Sequence, residues 1–105
     1  MKYIAKFNRR LSGVKDIRDF DRVVEMYPHL PLPYNERGNK RLSLNDYRGA
    51  LEDFSKAVDL DPTYPIHFCN RGIAKFCLQD FKGAIVDFTH AIDLKPRNAW
   101  FNFNR

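Results

Sequence analysis

No apolar run in this chain approaches the ~18–20 residues that a membrane-crossing helix needs. The opening ten residues carry charge but no 7–15-residue apolar stretch follows them, so a secretory leader is not expected here. Two cysteines, Cys69 and Cys77, are too few for a disulfide framework. On one helix their eight-residue spacing separates the Cα atoms by about 12 Å, and a bridge tolerates about 7 Å. Free thiols and the missing leader set the expectation of a cytoplasmic, intracellular protein.

Charge of one sign is also scarce over most of the chain. The net charge is +5, but residues 1–24 hold seven Lys/Arg against three Asp, and residues 25–105 hold eleven against ten. The basicity belongs to the opening segment. It would attract an acidic partner or surface, whereas the nearly neutral remainder argues against nucleic acid as the partner.

What the chain does have is a period of 34. Pro28, Pro62 and Pro96 fall at that spacing, as do Phe20, Phe54 and Phe88. Residues 31–64 and 65–98 agree at 13 of 34 positions, and mismatches such as Tyr34/Phe68, Leu51/Ile85 and Val58/Ile92 are conservative. A fixed period of this length defines stacked units, none of which buries its apolar face alone.

Each unit reads as two helices. The spacing predicts helices over about 33–44 and 47–60, then about 66–78 and 81–94. Ala50, Phe54, Ala57 and Val58 recur at i, i+4, i+7 and i+8, as do Ala84, Phe88, Ala91 and Ile92. Pro33 and Pro65 suit a first helical turn, where a missing N–H costs nothing. Asp46 and Asp80 offer carboxylates to the free N–H groups of the second helices, and Pro62 and Pro96 stop them. Gly38 and Gly72 fall mid-helix, a cost of about 0.5–1 kcal/mol that close helix approach would justify. Arg37/Asp53 and Arg71/Asp87 repeat in step, which predicts an ion pair locking helix to helix in each unit.

Gly38, Tyr47, Ala50, Phe54, Ala57 and Pro62, echoed by Gly72, Phe81, Ala84, Phe88, Ala91 and Pro96, resemble the tetratricopeptide repeat. The pattern departs from that family at Arg37/Arg71 and Arg41/Lys75, where leucine and tyrosine are usual. Residues 16–27 align with the second helix of a unit, and 2–11 would supply its first. The resemblance implies an all-α, right-handed helical-repeat solenoid of antiparallel helix pairs, one domain over 1–105. Its parts would be a degenerate first unit at 1–30, repeats at 31–64 and 65–98, and the start of a truncated unit at 99–105.

In that family the first helices of successive units line a concave groove that takes a peptide or helix. Carried over by spacing, the groove residues are Asn35, Asn39, Leu42, Ile66, Cys69, Asn70, Ile73, Phe76 and Cys77. Asn39 and Asn70 match the two asparagines of relatives that clamp the acidic tails of heat-shock chaperones. The basic slots of that clamp fall on Asn35, Trp100 and Asn104, so chaperone-tail recognition is not expected.

The expectation is therefore a non-catalytic protein-interaction module with a protein or peptide partner. One alternative is a homo-oligomer stacking through Trp100, Phe101 and Phe103. Another is a basic adaptor contacting nucleic acid or acidic surfaces through residues 1–24. No catalytic residue, metal or cofactor is expected. His29, His67 and His90 lack metal-ligand spacing with the cysteines, and Gly49 and Gly83 fall inside helices rather than in a phosphate-cradling loop.

Overall fold

A computed structural model describes residues 16–94. Among them are five helices and no strand: α1 (Ile17–Met26), α2 (Pro31–Ser43), α3 (Tyr47–Leu60), α4 (Pro65–Cys77) and α5 (Phe81–Leu94). Helices α2 and α3 pack as one pair and α4 and α5 as another. Helix α3 also packs on α4, α1 packs on α2, and the first helices α2 and α4 touch each other. This is an all-α helical repeat. The expected helix over 2–11, the stop at Pro96 and the aromatics Trp100, Phe101 and Phe103 lie outside the described residues.

The second helices begin and end where sequence chemistry puts them. Asp46 Oδ1 accepts from the Gly49 N–H at 3.0 Å, and Asp80 Oδ1 repeats this with Gly83 at 3.0 Å. These glycines make room for the cap, because a Cβ at either would overlap the aspartate carboxylate. Just before each cap, Asn45 (φ 63°) and Gln79 (φ 66°) adopt left-handed backbone. That reversal lets the Asp46 and Asp80 N–H groups donate to Arg41 O and Lys75 O at 2.8 Å. Helix α2 starts at Pro31, two residues before the expected Pro33. Both prolines fit, since the first turn of a helix has no use for its N–H groups.

Small residues let the helices close up. Ala50, Phe54 and Ala57 of α3 are fully buried. Ala50 and Phe54 cluster with Ala74, and Leu42 and Leu51 pack against them. Burial of a ring such as Phe54 contributes about 1.5–3 kcal/mol. The ring presses on α2 at Gly38, where an added Cβ would lie 2.6 Å from Phe54 Cε1. Gly72 stands in the same relation to Phe88, at 2.7 Å.

The Arg–Asp pairs are present, and each contains more than expected. Arg37 donates from Nη2 and Nε to Asp53 Oδ1 and Oδ2 at 2.7 and 3.0 Å, and Arg41 Nη1 reaches Oδ2 at 3.1 Å. Arg71 grips Asp87 at 2.8 and 2.9 Å, with Lys75 Nζ at 3.0 Å. Asp53 and Asp87 are almost fully buried. The positions that depart from the family pattern are thus the cations that answer these carboxylates. Burial alone would push the Asp87 carboxyl up, but Arg71 and Lys75 outweigh it and hold the group below the ordinary carboxylate range. Each arginine also lies over an aromatic ring of its own helix, Arg37 over Tyr34 at 5.9 Å and Arg71 over Phe68 at 5.5 Å.

Helix α1 supplies the other flank of α2. Asp16 caps it through the Arg18 N–H at 3.0 Å, and Phe20, Val23 and Val24 are buried. Val24 packs with Tyr34 and Ala57, Tyr34 Oη donates to Pro28 O at 3.1 Å, and Arg37 Nη1 reaches Asp21 at 2.9 Å.

Candidate functional site

The candidate residues lie on α2 and α4, the first helices of the two pairs. On α2, positions 32, 36, 39 and 43 form one stripe at i, i+4, i+7 and i+11, holding Leu32, Glu36, Asn39 and Ser43. The corresponding stripe on α4 holds Ile66, Asn70, Ile73 and Cys77. Leu32, Asn39, Ser43, Ile66 and Ile73 are exposed and the other three, Glu36, Asn70 and Cys77, partly buried.

Asn35 and Asn70 join the stripes. Asn70 Nδ2 donates to Asn35 Oδ1 at 2.6 Å, across the two first helices. This corrects the sequence placement of Asn35, which is only 7% exposed and lies beneath the surface rather than on it. Its amide oxygen is engaged by the neighbouring unit, while Asn39 stays open to solvent. Leu42 packs down on the Ala50–Phe54–Ala74 cluster and Cys69 on the Val58–Phe68–Ala91 cluster. Both belong more to the core than to the face.

The large apolar side chains are not consumed by packing. Ile66 is 46% exposed, Ile73 41% and Phe76 57%. Phe76 also meets Phe81 edge-on at 5.2 Å, which turns it toward the start of α5. Cys69 and Cys77 are free and partly buried.

One residue of this face escaped the sequence reading. Glu36 sits between Leu32 and Asn39 on the α2 stripe, in the register position of Asn70. The 34-residue shift was the signal, masked by the change from Asn to Glu. Burial pushes the Glu36 carboxyl above its ordinary range. Among the described residues it forms no ion pair: Arg37 and Arg41 turn to Asp53, Arg71 and Lys75 to Asp87.

A second surface lies on α5. Ile85 and Ile92 are 64% and 56% exposed. Their counterparts on α3, Leu51 and Val58, are partly or fully buried where α4 packs on α3. Among the described residues no group of three or more His, Cys, Asp or Glu is placed to hold a metal. No described helix is long and apolar enough to cross a membrane.

Comparison with known proteins defines the class. The TPR repeat family model matches residues 38–78. The second TPR domain of Spaghetti (RPAP3), solved bound to the HSP90 peptide SRMEEVD, is similar with TM-score 0.72 and 26% identity. That match covers 75% of this chain and 73% of that one. The first TPR domain of the same protein, bound to the same peptide, matches with TM-score 0.75 and 25% identity over 88% of this chain and 75% of that one. The Sgt2 TPR domain from Aspergillus fumigatus matches with TM-score 0.71 and 24% identity, over 74% of this chain and 52% of that one. No curated protein matches the sequence significantly. The protein is an all-α helical-repeat protein: residues 38–78 match the TPR repeat family model, and the fold is similar to that of solved TPR domains.

Proposed function

We propose that the chain is a non-catalytic protein-interaction module that takes a peptide or helix along the α2–α4 face. The observation that carries this reading is the exposure of Ile66, Ile73 and Phe76 beside Asn39 and Asn70. Apolar side chains left open on a rigid face supply the driving force of association. Amides beside them both donate and accept, which suits a peptide backbone. Peptide-bound TPR domains of similar fold support the same assignment. A reducing, intracellular setting suits the two free thiols.

Peptide-display selection against the wild type and an Asn39→Ala/Ile73→Ala/Phe76→Ala variant tests it. All three positions are exposed, so circular dichroism should show an intact fold. Peptides lost only from the folded variant locate recognition on this face. Peptides retained by both eliminate it.

The bare α5 face supports a second reading, stacking on a second copy. Ile85 and Ile92 are exposed, whereas their counterparts on α3 are covered by α4. Mass that rises with protein concentration and falls back in Ile85→Glu/Ile92→Glu would establish it. A monomer throughout the micromolar range would remove it.

A further inference from the structure

Four of the five Lys/Arg of α2 and α4 are turned inward. Four cations of the first helices, Arg37, Arg41, Arg71 and Lys75, are held by the buried Asp53 and Asp87. They are not free to meet a ligand. Glu36 remains on the stripe between Leu32 and Asn39, partly buried and with no ion pair among the described residues. Lys40, one turn further along α2, forms no ion pair with it.

The repeat-bearing residues 16–94 have the same sign, within a chain whose overall charge is +5. All thirteen Asp/Glu of the chain fall within residues 16–94, against ten Lys/Arg, a net charge of −3. The two similar RPAP3 domains were solved with SRMEEVD, a peptide containing three carboxylate side chains.

We infer that the groove recognises a peptide with a lysine or arginine side chain flanked by apolar residues, with Glu36 as its counter-charge. The inference rests on the groove reading above and adds the ligand's chemistry to it. Glu36 has already lost part of its hydration in the free protein, so an arriving ammonium or guanidinium restores a partner at little further desolvation cost. The same carboxylate opposes an acidic peptide by like-charge repulsion, which gives discrimination as well as attraction. Ile66, Ile73 and Phe76 on α4 receive the apolar flanks.

The test uses two probes, SRMEEVD and a version with both glutamates replaced by lysine, titrated by fluorescence anisotropy. Wild type is expected to bind the lysine peptide about tenfold more tightly than SRMEEVD, Glu36→Gln to hold the two within about threefold, and Glu36→Lys to reverse the order. The wild-type preference should shrink between low and high salt. No binding of the lysine peptide, equal binding of both, or a preference that survives Glu36→Gln overturns the inference.

Ile73→Ala/Phe76→Ala separates it from the groove reading. Lysine-peptide binding that responds to Glu36→Gln but not to this pair overturns the groove and leaves the counter-charge standing. Binding that responds to the pair but not to Glu36→Gln does the reverse. Dimerisation in sedimentation runs that Glu36→Gln abolishes would make a second copy's basic segment the occupant and overturn the partner assignment.

Discussion

The Phe54 ring fills the space that a side chain at Gly38 would need, with Cε1 and Cδ1 only 2.6 and 2.8 Å from where a Cβ would stand. Phe54 is fully buried and has nowhere to retreat. Alanine at position 38 would gain about 1 kcal/mol in helix propensity but overpack the α2–α3 contact by about 1–3 kcal/mol.

Gly38→Ala is therefore expected to lower stability in urea denaturation. Adding Phe54→Leu should recover part of the loss, because the smaller side chain vacates the disputed space. A Gly38→Ala protein as stable as wild type would refute the contact.

The ion-pair ladder lacks one rung. Asp21 Oδ1 accepts from Arg37 Nη1 at 2.9 Å, and the 34-residue shift carries Asp21 to Ser55 and Arg37 to Arg71. Ser55→Asp is expected to stabilise by about 0.5–1 kcal/mol, the scale of a favourable partly exposed pair. An Arg71→Met background should cancel the gain, and a double-mutant cycle reads the coupling directly. Zero coupling would mean that the two units are not equivalent here.

Gln79 holds φ at 66°, a region where a side chain costs roughly 1–2 kcal/mol. Gln79→Gly should raise the melting temperature, with a net gain of up to about 1 kcal/mol after the added freedom of the unfolded chain. Asn45→Gly at the equivalent turn should gain less, because asparagine tolerates this conformation and its Oδ1 accepts from Tyr47 Oη at 3.0 Å.

His67 is buried, and its Nδ1 has no hydrogen-bond partner. Burial pushes its pKa down, and Asp61 opposes this only in part. The unfolded chain thus binds the proton more readily than the folded one. His67 contributes stability that is complete above about pH 6.5 and declines as pH falls below it. Glu36 acts with the opposite sign, since its raised pKa favours the folded chain as it protonates. Denaturant midpoints should fall from pH 7.5 to pH 5.5, and His67→Phe, beside Tyr64 at 4.9 Å, should flatten the profile. An unchanged slope would exclude His67 as the titrating group.

The second helices were the most legible part of the chain. Asp46, Asp80 and Pro62 mark their limits chemically, and α3 and α5 run over the expected residues. The start of α2 was displaced because two prolines two residues apart offer the same signal. Arg37–Asp53 and Arg71–Asp87 were readable because both members repeat together. The second cation, Arg41 or Lys75, was not, since one period cannot tell a pair from a triplet. Asn35 and Asn70 hold different positions within their units, so no self-comparison could align them. Their contact depends on how two helices cross.

The buried ladder also bears on how the chain assembles. Helices in a repeat array resemble one another, and apolar surface alone would let a first helix dock on the wrong partner. A second helix that met any surface without Arg37 or Arg71 would sink Asp53 or Asp87 into the interior unanswered, and breaking such a pair costs about 3–5 kcal/mol. The carboxylates work as a check on pairing: they tax every misdocked intermediate and release only the arrangement in which each helix has found its own neighbour.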